Sequence, residues 1–108
     1  CDVIYVPTDN TVAENTGIID NVCAPKKVPV IAGEEGICKG CGVATLSISY
    51  YDLGYATGKM AVKVLKGEAD ISTLAIGYAE TQTPKYNKAI CDALGITPLE
   101  GYVAIEDN

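Results

Sequence analysis

The 108-residue sequence contains no histidine, tryptophan, phenylalanine or arginine, and its eight basic residues are all lysine. Without histidine the commonest general acid–base is missing. Ser–His–Asp and Cys–His nucleophilic catalysis are thereby excluded. Carboxylates, cysteine, lysine and tyrosine are the remaining candidate catalysts. A net charge of −6 argues against nucleic acid, which would need a basic face, and with tyrosine as the sole aromatic nothing resembles an RNA-stacking platform. No apolar run approaches the roughly 18–20 residues that span a bilayer. No basic stretch followed by an apolar stretch marks a secretory signal. What is present is an ordinary globular balance, 48 % apolar and 20 % charged, at a length suited to one domain with one core.

Five cysteines, Cys1, Cys23, Cys38, Cys41 and Cys91, form an odd set, so at least one is unpaired within the chain. Cys38-Lys-Gly-Cys41 is a C-x-x-C. A structural zinc site would want a second pair or a histidine at matching spacing, and there is none, so no metal is expected. A thioredoxin-like motif opens a helix directly after a strand, where the helix end lowers the thiol pKa. Here the motif reads as part of a glycine-rich loop leading into a strand. Loop or core cysteines are the leading reading, with a Cys38–Cys41 disulfide or thiol pair as the alternative.

The apolar, β-branched run Asp2-Val-Ile-Tyr-Val6, ended by Pro7, predicts a buried strand. Thr8-Asp9-Asn10 offers several N-caps for a helix running to about Ala24, with Val12, Thr16, Ile19 and Cys23 on one stripe. Pro25, Lys26 and Lys27 stop it. Val28 to Ala32 predicts a second buried strand. Residues 33–42 hold four glycines and no periodicity, which predicts a loop. Val43 to Ile48 predicts a third strand. Tyr51 to Lys66 has the clearest helical spacing in the chain (Leu53, Ala56, Met60, Ala61, Val64, Leu65), with Gly67 as its stop. Asp70 caps a short turn, Leu74 to Glu80 predicts a strand, Pro84 to Leu94 a helix closed by Gly95, and Gly101 to Ile105 a last strand. The order β-α-β-β-α-β-α-β predicts an α/β fold with a mostly parallel sheet flanked by helices.

Parallel crossovers are right-handed and bring strand ends to one edge. Open α/β sheets bind ligands beyond the carboxyl ends of their strands. Just past the first strand stand Thr8, Asp9 and Asn10; just past the second stand Gly33, Glu34 and Glu35. Three carboxylates beside a helix start suit a zwitterion, with carboxylates for an ammonium and amides or hydroxyls for a carboxylate. The competing reading is that Asp9 only caps its helix while Glu34 and Glu35 are solvated loop charges. Tyr50 and Tyr51 open the second helix; they read as packing residues or, alternatively, as rings that stack on a ligand.

The strings Asp2-Val-Ile-Tyr-Val-Pro-Thr-Asp-Asn10, Val28-Pro-Val-Ile-Ala32 and Val43-Ala-Thr-Leu-Ser-Ile-Ser-Tyr-Tyr-Asp-Leu-Gly54 closely resemble one family. It is the substrate-binding proteins of ABC transporters, in the group associated with tryptophan or tyrosine. The similarity continues through Thr57-Gly58-Lys-Met-Ala61, Val64-Leu-Lys-Gly-Glu-Ala-Asp70 and Ala93-Leu-Gly-Ile-Thr97. The resemblance implies a type I periplasmic-binding-protein fold, two Rossmann-like lobes closing on a ligand, of which this chain matches the C-terminal part. Residues 1–42 would form a β-α-β unit of the second lobe, 43–66 a hinge strand and helix, and 67–108 a C-terminal β-α-β-like segment. It further implies a non-enzymatic solute carrier that needs no cofactor. The carrier would take an amino-acid-like small molecule on Thr8, Asp9, Asn10, Thr11, Glu34 and Glu35. It would work with a transporter permease and lie outside the cytoplasm, tethered through a lipoprotein N-terminus of a longer parent. The loop Ile37-Cys-Lys-Gly-Cys41 and the tail after Gly95 depart from the family pattern. The rivals are a chain that no longer binds ligand and pairs as an element-exchanging homodimer, and a C-x-x-C thiol redox protein.

Overall fold

A computed structural model describes residues 1–106, which fall into two compact units: residues 1–47 with 83 onward, and Ile48–Gln82.

The first unit is built on a five-stranded sheet in the order β1 (Ile4–Val6), β2 (Val30–Ala32), β3 (Ala44–Ile48), β4 (Gln82–Tyr86), β5 (Val103–Ala104). The last residue of β3 and the first of β4 belong to the second unit. β1 and β2 are parallel, as are β2 and β3, and β4 and β5. The Asn87 N–H, just past β4, donates to the Val43 carbonyl, just before β3. The β4–β5 pair therefore runs opposite to β1–β3, and the sheet is mixed but mostly parallel.

Three stretches depart from the sequence reading. The helix expected over 10–24 is broken into α1 (Asn10–Ala13) and α2 (Thr16–Cys23), followed by a 3-10 turn at Ala24–Lys26. Its stripe survives the break: Cys23 is buried, and Val12 and Ile19 pack against the core. The loop expected over 33–42 is instead α3 (Glu35–Cys41). Its glycines each cost helix propensity, but Ile37, Cys38 and Cys41 all bury on one side and Glu34 caps the start. Gly40 lets α3 approach α2, because a Cβ there would stand 2.1 Å from Thr16 Oγ1. The strand expected over 74–80 does not form. It forms at Gln82–Tyr86, and α5 (Lys88–Leu94) starts four residues later than expected, because Asn87 is its N-cap and accepts from the Ile90 N–H at 3.2 Å. Gly95 closes α5 in the left-handed conformation, φ 71°, as a C′ glycine does.

The core lies on the helix-covered face, where Val6, Val30, Ala32, Ile37, Cys23, Cys38 and Cys41 form one cluster. On the other face Tyr5 and Ile31 stand in register and Leu46 follows on β3; Tyr5 and Leu46 are more than half exposed.

The second unit is dominated by α4 (Tyr50–Leu65), whose start is capped by the Ser49 hydroxyl accepting from the Asp52 N–H at 3.1 Å. The Asp70 carboxylate holds the following turn, accepting from Ser72 N–H at 2.8 Å and Ser72 Oγ at 2.7 Å. None of the α4 side chains is fully buried, and Tyr50, Tyr51, Tyr55 and Leu65 are exposed.

Candidate functional site

Parallel pairing of β1 with β2 carries both strands out of the sheet at the same edge, and the two turns meet there. Gly33 N–H donates to Val6 O at 2.8 Å, and Thr8 Oγ1 donates to Gly33 O at 3.2 Å. A Cβ on Gly33 would stand 2.6 Å from the Thr8 nitrogen, so the approach requires glycine.

Around this contact the acidic residues are already engaged. Asp9 is the N-cap of α1, its Oδ1 accepting from Val12 N–H at 2.9 Å. Its second oxygen lies outside the cap. Glu34 is the N-cap of α3 and uses both oxygens, Oε2 accepting from Gly36 N–H at 2.8 Å and Oε1 from Ile37 N–H. Glu34 is thus a bidentate cap rather than a solvated loop charge. Glu35 pairs with Lys85 Nζ at 2.7 Å. Thr8, Asp9, Asn10 and Thr11 are exposed, whereas Gly33, Glu34 and Glu35 are half-buried.

Lys85 was not foreseen. It lies fifty residues from Glu35 in sequence and falls within a stretch that reads as helix. The signal that could have found it is Asn87, a strong N-cap that moves the helix start past Lys85 and leaves 82–86 extended. The same asparagine anchors α3, its Nδ2 donating to Cys38 O at 3.3 Å and Lys39 O at 2.9 Å. Glu35 and Lys85 line a cavity of about 250 Å³ together with Val103, Ala104 and Glu106.

Cys38 and Cys41 sit on α3, not in a loop, and both are free, buried thiols. Each donates to its own backbone neighbourhood, Cys38 to Gly42 O at 3.6 Å and Cys41 to Ile37 O at 3.4 Å. Burial, reinforced by the adjacent Cys91 and Cys41 thiols, pushes Cys38 up to about 12. Burial also raises Cys41, with Asp20 and Cys23 nearby, and Cys91 beside Asp92. A nucleophilic C-x-x-C needs the opposite shift. Among the described residues no cluster of three or more His, Cys, Asp or Glu could hold a metal. Tyr50 and Tyr51 are exposed on α4, in the second unit. No helix among the described residues is long and apolar enough to cross a membrane.

A mostly parallel α/β sheet with two polar turns closed on each other at its carboxyl edge presents them where open α/β sheets bind ligands. Residues 1–105 match the model of the family described as ABC transporter substrate binding protein, and the chain belongs to that family. It is 41 % identical over 68 residues to a tyrosine-binding protein of Clostridioides difficile (strain R20291), an alignment covering 63 % of this chain and 20 % of that one. Among solved structures, a ligand-free, open substrate-binding protein with adhesive properties from Clostridium difficile matches with a TM-score of 0.75 and 35 % identity over 98 % of this chain. An ABC domain from Streptococcus pneumoniae in complex with L-Trp matches with a TM-score of 0.77 and 35 % identity over 94 %. A conserved domain protein from Vibrio cholerae matches with a TM-score of 0.79 and 27 % identity over 95 %. The chain spans 36 % of the length of each of these three structures.

Proposed function

We propose that the chain captures a small zwitterionic solute, an aromatic amino acid, as part of the extracytoplasmic binding component of an ABC transporter. The observation that carries this reading is the Thr8–Gly33 contact, which holds two polar turns together at the carboxyl edge of β1 and β2. Open α/β sheets meet their ligands at that edge. The choice of ligand is supported by the L-Trp bound in the streptococcal relative and by the description of the clostridial one. Thr8, Asn10 and Thr11 supply hydroxyl and amide groups, and the second Asp9 oxygen adds negative charge at the edge the ammonium approaches. Glu34 shapes its turn through the cap, and Glu35 acts with its lysine partner. Tyr50 and Tyr51, exposed on α4, are proposed as ring-stacking residues. The transporter permease and a lipoprotein tether are the implied partners of the longer carrier.

Calorimetric titration of the chain against a panel of amino acids tests this. Heat is expected with the aromatic members. Asp9→Asn is expected to weaken it at unchanged melting temperature, because asparagine caps a helix as well as aspartate does but carries no charge. Heat with no member of the panel, or heat that Asp9→Asn leaves unchanged, contradicts the reading.

A second reading is self-association without ligand. The exposed rings of α4 and the open face carrying Tyr5 and Leu46 favour it. Sedimentation separates the two: a clean monomer at all concentrations excludes exchange of elements between copies.

A further inference from the structure

We propose that Glu35 and Lys85 form the zwitterion-reading element of the site, with Lys85 receiving the ligand carboxylate and Glu35 its ammonium. The proposal rests on the solute-capture reading and deepens it. Its basis is the placement of the pair. A lysine that bonds a carboxylate at 2.7 Å neutralises it, yet neither group is sealed in: their side chains keep 27 % and 40 % of their surface exposed. The exposed part opens onto the cavity of about 250 Å³ that Glu106 also borders.

An ammonium–carboxylate pair that is half-desolvated and open on one side is itself a template for a second such pair laid across it. The ligand ammonium beside Glu35 and the ligand carboxylate beside Lys85 produce a ring of four alternating charges, each touching two of opposite sign. Charge-assisted hydrogen bonds of this kind are the strong ones, and part-burial keeps solvent from screening them as it would on an open surface. Glu106 tips the three side chains to a net negative charge, so the ammonium is the preferred partner and a bare carboxylate is refused. The Val103 and Ala104 wall accepts no ion. A ligand lacking either charge leaves one member of the pair facing an apolar group. This is selection by omission as much as by attraction.

The pair also ties α3 to β4, so a strut role must be told apart from a ligand role. The purified chain is titrated, by NMR, with L-tryptophan, tryptamine (no carboxylate) and N-acetyl-L-tryptophan (no ammonium). The wild-type chain is expected to favour L-tryptophan over both analogues by about tenfold or more, one charge-assisted contact each. Lys85→Met is expected to erase the preference over tryptamine while keeping that over the N-acetyl compound, and Glu35→Gln the reverse. The exchange Glu35→Lys with Lys85→Glu restores the strut and its melting temperature but not the affinity for L-tryptophan. L-tryptophan binding whose selectivity survives both single substitutions, or whose affinity returns with the exchange, overturns the role of the pair and leaves solute capture standing. No binding of any of the three by the wild-type chain overturns both.

Discussion

The Thr8 hydroxyl donates to the Gly33 carbonyl at 3.2 Å, fastening the turn after β1 to the turn after β2. Two residues that are 25 positions apart are joined because parallel strands leave the sheet on one edge and because Gly33 has no side chain to keep Thr8 away. The contact fixes where Asp9 and Glu34 begin their helices, and hence which polar groups the edge presents.

Gly33→Ala places a methyl group 2.6 Å from the Thr8 nitrogen, a backbone atom that cannot swing aside. The turns must part. A loss of about 1–3 kcal/mol in urea unfolding is expected, as for other overpacked sites, together with loss of any amino-acid binding. An unchanged unfolding midpoint would show that the edge is looser than the structure describes.

Glu34→Ala removes both capping bonds from α3 at once. A cost of about 1–2 kcal/mol is expected from the cap alone. Glu34→Asp and Glu34→Gln should recover part of it, since each retains an oxygen for the backbone. If Glu34→Ala weakens ligand binding at unchanged stability, Glu34 contacts the ligand rather than its own helix.

Thr45 Oγ1 is buried and has no hydrogen-bond partner among the described residues. An unpaired buried hydroxyl costs free energy, and valine has nearly the same shape. Thr45→Val is therefore expected to raise stability by about 1 kcal/mol, read as a higher melting temperature. A lower one would mean that the hydroxyl is paired in solution.

The thiols set an alkaline limit. Cys38 has an ordinary value of 9.0 and is pushed up to about 12 in the fold. In the unfolded chain it loses its proton near 9, while the folded chain holds it. The contribution is complete below pH 9 and is lost as pH rises toward 12; Cys41 and Cys91 act in the same direction. Urea midpoints should fall between pH 9 and 11, and Cys38→Ala should flatten the fall. A thiol reagent at pH 8 should label exposed Cys1 at once and the four buried cysteines only on unfolding. Rapid labelling of Cys38 or Cys41 in the folded chain would reopen the redox reading.

Much of this was legible locally. The run at Ile4–Val6, the Asp9 cap, the helix from Tyr50 and the Gly95 stop each carry their signal within a few residues. The α3 helix was hidden because its signal is not periodic. Four glycines mask it, and what makes it helical is distant: Thr16, against which Gly40 packs, and Asn87, which takes its last carbonyls. The strand after α4 was misplaced because Leu74 to Glu80 alternates as a strand does, whereas Gln82–Tyr86 contains a proline. That Pro84 is tolerated where the two-residue β5, paired only with Lys85 and Tyr86, does not reach. In the site, the two turns could be placed on one edge from topology. The Glu35–Lys85 pair could not, because no local pattern joins residues fifty positions apart.

The fastened turns are proposed to meet the solute. Titrating the isotope-labelled chain with L-tryptophan and following its backbone amides tests it most directly. Shifts concentrated at Thr8–Thr11 and Gly33–Glu35 are expected. Saturable shifts elsewhere with those residues unmoved, or no shifts at all, would contradict it.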